Sequence, residues 1–217
     1  MASVTAAWDD TDGGRRTAGG GSPERKRGRV SGIAATSTTP ALWLPAEALG
    51  CYEGDVQLRS WLTTPGLLTE RVRAATGAAF RLEVFAEDAR HGEHRRAIVL
   101  GTRTAPWIYA ETTIPDETLA RHPWLGRMGE VSLGETLAAH GGVTRSGFAY
   151  ARLTADVPLV ARARACGGDA AAALWVRRSE FSLQGALLTV QEVFLPGIGR
   201  AGLEAVAAAP TGARPVP

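Results

Sequence analysis

The segment LWVRRSEFSLQGALLTVQEVFL, residues 174–195, consists of two runs of alternating character flanking Gln184-Gly185, and it constrains the fold more than any other stretch of the chain. Alternation at period two reads as β-strand, and a two-residue break containing glycine reads as a tight hairpin turn. Such a turn sets Leu183 opposite Ala186 and, farther along, Arg177 opposite Glu192. In the second strand Leu188, Val190, Glu192 and Phe194 share one face, because successive side chains point to opposite sides. Glu192 thus falls on the oilier face. A carboxylate with an ordinary pKa of about 4.3 costs several kcal/mol when buried without a partner, and Arg177 is placed to be that partner.

Upstream, FRLEVFAEDA (80–89), RRAIVLGTR (95–103) and PWIYAETTIP (106–115) alternate in the same way, separated by HGEH and by Thr104-Ala105. They read as an antiparallel meander. VTRSGFAYARLT (143–154) reads as one further strand. Helices interrupt the run. From Val56 to Val72 the apolar spacing is helical but broken at Thr64-Pro65-Gly66, which predicts two short helices joined by a bend. Ser132-Leu133-Gly134-Glu135 is a capping-box pattern opening a helix that should stop at Gly141-Gly142, and another helical piece lies near 157–166. Strands in series with inserted helices, without regular βα alternation, predict an α+β fold: a single antiparallel sheet with flanking helices.

Of the 217 residues 45% are hydrophobic, enough for one sizeable core. Three regions are expected: a disordered, Gly/Ser/Thr-rich N-terminal arm over 1–40, a domain over 41–197, and a flexible Ala/Pro/Gly-rich tail over 198–217. The net charge of +2 arises wholly in the arm, which has six basic and four acidic side chains; residues 41–217 balance at zero. That balance, and a second helix LLTERVRAATG with only Arg71 and Arg73 as basic residues, argue against a nucleic-acid partner. Cys51 and Cys166 are the only cysteines and have no metal-like spacing, so neither a disulfide framework nor a metal is expected, and a reduced cytoplasmic location fits. No apolar run reaches the roughly 20 residues of a membrane helix, and the first residues lack the apolar core of a secretion signal. GIGRAG (197–202) matches a dinucleotide-binding glycine pattern but leaves too little chain for a crossover. His91 and His94, with Asp88 and Glu93 nearby, are better explained as a polar hairpin loop than as a metal site.

Arg96 shares its strand face with Ile98 and Leu100, so a second guanidinium points inward. Two readings stand. In one, Arg177 and Glu192 are a structural ion pair and Arg96 snorkels at a sheet edge. In the other, apolar strand residues wall a cavity in which inward arginines and one carboxylate receive a small organic anion through paired hydrogen bonds.

WLTTPGLLTERV (61–72), RRAIVLGTRTAPWIYAETTIP (95–115), SLGETL (132–137) and above all LWVRRSEFSLQGALLTVQEVFLP (174–196) resemble the chorismate lyase family over about residues 55–197. The resemblance implies a cofactor-independent enzyme that eliminates pyruvate from chorismate to give 4-hydroxybenzoate, on an antiparallel sheet with a helical lid over an internal ligand pocket. By matched position, Arg96 would grip the ring carboxylate. Leu68 and Leu133 would lie at the lid and pocket wall, where backbone N–H groups help hold that carboxylate, and Glu192 would meet the ring hydroxyl, as base or only to orient it. The expected partners are the substrate and product alone, with no membrane and the chain as a monomer.

One departure bears on the substrate. At Glu111 the better-known bacterial form of the family has arginine, and Arg177 or Arg152 would then take the second carboxylate. The alternatives are a lyase acting on an amino- or iso-chorismate derivative, and a non-catalytic aromatic-acid sensor of the same fold, as found in certain transcription regulators.

Overall fold

The computed structural model describes residues 42–51, 55–167 and 173–198. The arm expected over 1–40 lies outside them, as does the tail expected from 198 except for Ile198, which is buried in the core. In chain order the elements are β1 (Leu44–Pro45), α1 (Val56–Leu62), α2 (Leu68–Thr76), β2 (Phe80–Arg90), β3 (Glu93–Thr102), β4 (Pro106–Pro115), α3 (Asp116–Arg121), α4 (Leu133–His140), β5 (Val143–Arg145), β6 (Ala149–Thr154), α5 (Pro158–Ala165), β7 (Ala173–Leu183) and β8 (Ala186–Phe194). Among the described residues the fold is α+β, with eight strands in one antiparallel sheet and five α-helices. The strands run β1-β6-β7-β8-β4-β3-β2, with β5 also paired to β7.

Turn chemistry sets the registers. Gln184 and Gly185 both have positive φ, 51° and 87°, as do His91 and Gly92 at the β2–β3 turn, 52° and 84°. Turns of this hand match the right-handed twist of the strands they join. The register following from the first turn pairs Arg177 with Glu192. Across the other edge of β8, Ala110 of β4 pairs with Glu192 and Glu111 with Gln191, so Glu111 and Glu192 occupy opposite faces of the sheet.

Each face has its own cover. On one, Ile98, Leu100, Ile108 and Phe194 pack with Trp61 and Leu62 of α1 and Val72 of α2, while Val190, Leu188 and Ile114 pack with Leu133 and Leu137 of α4. On the other, Tyr109, Val176 and Val193 pack with Leu159, Val160 and Ala163 of α5. Full burial of a side chain such as Leu62 is worth about 1.5–3 kcal/mol. The capping box at Ser132 and Glu135 forms, and α4 ends before Gly141, whose φ is 65°.

Two regions differ from the sequence reading. A short helix, α3, follows Pro115 directly; Asp116 and Glu117 in its first turn favour the positive end of the helix dipole. The strand expected over 143–154 is two strands. Arg145 pairs with Phe181 and Ser146 exchanges hydrogen bonds with Glu180, but Ala149 pairs with Arg178. Gly147 and Phe148 thus stand against Ser179 alone, a bulge that moves the register by one residue.

Candidate active site

β7 and β8 bring Arg177 and Glu192 side by side on the face covered by α1, α2 and α4. Arg177 Nε donates to Glu192 Oε2 at 2.6 Å, and Arg177 Nη1 donates to the backbone carbonyls of Leu62 and Thr64 at 3.2 and 2.9 Å. Its guanidinium lies over the Phe148 ring, 4.1 Å from the centroid. Arg177 is 1% exposed and Glu192 14%. Among the described residues Arg177 is the only donor to Glu192 and serves Oε2; no hydrogen bond reaches Oε1.

Glu192 faces a cavity of about 60 Å³ whose walls include Leu68, Leu133, Arg145, Arg177, Ser179 and Val190. Leu68 and Leu133 are the first residues of α2 and α4, so two helix starts converge on this space with backbone N–H groups that have no partner within their helices. The approach is close: a Cβ at Gly134 would lie 2.7 Å from Leu67 Cδ2.

The connector between α1 and α2 is tied to both the sheet and α2. Tyr150 Oη donates to the Leu62 carbonyl at 3.3 Å, and Arg145 donates to the Pro65 carbonyl. Arg71 stacks on Trp61 at 4.0 Å and donates to the Ser60 carbonyl and to Thr64. Burial, assisted by the nearby Arg177 charge, lowers the Arg145 and Arg71 pKa values. Burial raises the pKa of Tyr150. On α4, burial of Glu135 favours its neutral form, but donation by Ser132 and Arg73 outweighs it and holds the carboxyl below its ordinary value.

Arg96 does point inward, yet it is not among the residues lining the cavity. Its Nη2 donates to the carbonyls of Gly129 and Val131, at 2.5 and 3.0 Å, in the loop leading into α4. Arg96 is 1% exposed and its Nε has no partner. Among the described residues it forms no carboxylate pair, and desolvation lowers its pKa. Glu111 lies on the α5 side of the sheet, where Arg162 binds it through Nε and Nη2, both at 2.8 Å, and Tyr109 Oη donates at 2.9 Å. A residue pointing this way does not face the cavity, so the change from arginine leaves no gap there for Arg177 or Arg152 to fill. Arg152 lines a separate cleft with Asp55 and Leu58. Sequence reasoning missed Arg145, which reaches the cavity wall only because of the bulge at Gly147-Phe148.

The fold and this site define a class: a single-sheet α+β domain with an acid paired to a buried arginine on the wall of a cavity under two helix starts. The sequence model of the chorismate lyase family matches residues 88–200. The chain is similar to a probable chorismate pyruvate-lyase of Dechloromonas aromatica, 38% identical over 159 residues that cover 66% of this chain and 89% of the relative. It is likewise similar to a probable chorismate pyruvate-lyase of Coxiella burnetii, 30% identical and covering 72% and 92%. Among solved structures, the effector domain of PhnF from Mycobacterium smegmatis superposes with a TM-score of 0.39 at 18% identity, over 60% of this chain and 89% of that one. The chain belongs to the chorismate lyase family. No helix among the described residues is long and apolar enough to cross a membrane.

Proposed function

We propose that the cavity beneath α1, α2 and α4 is where this chorismate pyruvate-lyase converts chorismate into 4-hydroxybenzoate and pyruvate. One observation supports the reading most: among the described residues Glu192 accepts from a single arginine through one oxygen, leaving Oε1 without a donor, and its side chain lines the cavity.

The elimination needs no added reactant. The bond between the ring carbon and the enolpyruvyl oxygen breaks, its electron pair leaving with that oxygen. The C–H pair of the neighbouring hydroxyl-bearing carbon enters the ring, which becomes aromatic, and the enolpyruvate gains a proton at its methylene to become pyruvate. The protein's part is to fix a reactive conformer and to favour charge where it develops. In this reading the ring carboxylate lies toward Arg96 and the starts of α2 and α4, whose N–H groups suit an anion, and the ring hydroxyl lies against Glu192. Glu192 either takes the ring proton or orients the hydroxyl while the enolpyruvyl methylene takes it.

The α1–α2 connector and the start of α4 act as the lid. The test is direct: chorismate is added, pyruvate is followed by coupled reduction, and 4-hydroxybenzoate by its aromatic absorbance. Equal amounts of both products are expected. Binding of aromatic acids without turnover would refute the lyase in favour of a sensor, and turnover only of an amino- or iso-chorismate would refute the substrate.

A further inference from the structure

Chorismate has two carboxylates, and only one remains on the aromatic product. Among the residues lining the cavity, Arg145 and Arg177 are the only cations. The charge of Arg177 is offset by Glu192 at 2.6 Å, and its other hydrogen bonds go to the Leu62 and Thr64 carbonyls. Arg145 differs. Its guanidinium lies over the Phe148 ring at 4.5 Å and near the Phe181 ring at 5.9 Å, it donates to the Pro65 carbonyl, and among the described residues it forms no ion pair with a carboxylate. It also borders a wider groove outside the connector, shared with Leu67, Glu70, Leu137 and Val143, so it stands where the cavity meets the exterior.

The ring geometry of the substrate selects this residue. With the hydroxyl at Glu192, the ether on the adjacent ring carbon lies at the Glu192 end, away from Arg96. We infer that Arg145 binds the carboxylate of the enolpyruvyl group, distinguishing chorismate from aromatic monoacids, and that pyruvate leaves past it into the outer groove. The inference rests on the proposed reaction in this cavity. The five fixed donors of a guanidinium suit a carboxylate bound through two hydrogen bonds, and the flanking aromatic rings limit the freedom lost on binding.

The test compares wild type, Arg145→Gln and Arg145→Lys, each checked for folding by circular dichroism and thermal melting. Pyruvate release from chorismate gives kcat and KM, and titration gives the affinity for 4-hydroxybenzoate, which lacks the enolpyruvyl carboxylate. Arg145→Gln is expected to lower kcat/KM roughly 10- to 100-fold while changing 4-hydroxybenzoate affinity less than about 3-fold, with Arg145→Lys recovering part of the loss. A kcat/KM within about 3-fold of wild type, or equal losses for substrate and product, would overturn the inference while leaving the lyase reading intact. A wild-type chain that releases no pyruvate would overturn both.

Discussion

Replacing Arg177 by methionine tests whether the acid of this site is held by one buried partner. Met preserves much of the length of the stem but removes the charge, the 2.6 Å bond to Glu192 Oε2 and both bonds to the α1–α2 connector. The Leu62 carbonyl keeps the Tyr150 hydroxyl; the Thr64 carbonyl loses its donor. Breaking a buried ion pair at one end costs about 3–5 kcal/mol, chiefly because the remaining charge is left uncompensated. Against a total stability of about 5–15 kcal/mol the variant is expected to fold, but weakly. The double variant Arg177→Met/Glu192→Gln removes the stranded charge and should regain part of the loss, giving a coupling energy of about 2 kcal/mol or more in a double-mutant cycle. Urea unfolding of the four proteins measures it. A coupling below about 0.5 kcal/mol, the scale of an exposed pair, would refute the argument that this pair is buried and interdependent.

Glu192→Gln removes the charge that offsets buried Arg177 and is expected to cost stability on the scale of a broken buried pair, while lowering kcat of the folded protein by about 10²-fold or more if the carboxylate takes the ring proton; near-normal turnover would restrict Glu192 to orienting the hydroxyl. Glu111→Gln should destabilise the chain by about 3–5 kcal/mol by stranding Arg162 yet leave KM and kcat of the folded fraction unchanged, since its side chain is on the far face; a KM change as large as that of a cavity residue would contradict this placement. Gly134→Ala would push the Leu67 side chain away from α4 and is expected to speed release of 4-hydroxybenzoate in stopped-flow measurements, an unaltered rate arguing against this contact as part of the lid. The folded-state pKa of Glu135 is depressed, so its stabilisation is present above the unfolded value of about 4.3 and is lost as pH falls through the folded value. Glu135→Ala should therefore cost about 0.5–2 kcal/mol at pH 7 and progressively less as pH falls through the folded value, and a difference in thermal midpoint that does not shrink at all on acidification would disprove the linkage.

The hairpin was legible in the sequence because turn length and alternation alone fix its register, and a register fixes who faces whom. From Gln184-Gly185 the opposition of Arg177 and Glu192 follows arithmetically, and the structure has it. The start of α4 was legible for a similarly local reason: Ser132 and Glu135 satisfy each other's backbone donors. Arg145 was not legible. In an unbroken strand Arg145 and Tyr150, five residues apart, occupy opposite faces; since Tyr150 pairs with Arg177 on the cavity side, Arg145 would point away. One extra residue at Gly147-Phe148 reverses that parity, and nothing in VTRSGFAYAR except the glycine advertises it. Arg96 was half legible: alternation gave its direction, but the carbonyls of Gly129 and Val131 that meet it lie in a loop whose path no local pattern determines.

Glu111 and Glu192 show why placement on a sheet face decides chemistry. They lie on neighbouring strands, and each is met by an arginine at hydrogen-bonding distance. Glu111 accepts from Arg162 with both oxygens and from Tyr109 as well, beneath the apolar side of α5; its oxygens are taken by donors that cannot be displaced without loss, and a carboxylate so held is structural. Among the described residues Glu192 has one donor on one oxygen, and the strand alternation puts its side chain on the wall of a space closed by helix starts and by the α1–α2 connector. A carboxylate with a fixed position and an unused oxygen can accept a proton or a hydroxyl without breaking anything that maintains the fold. In the proposed reaction the same residue pair is therefore a rivet on one side of the sheet and the reacting group on the other, and among the described residues the difference is the number of donors that reach it.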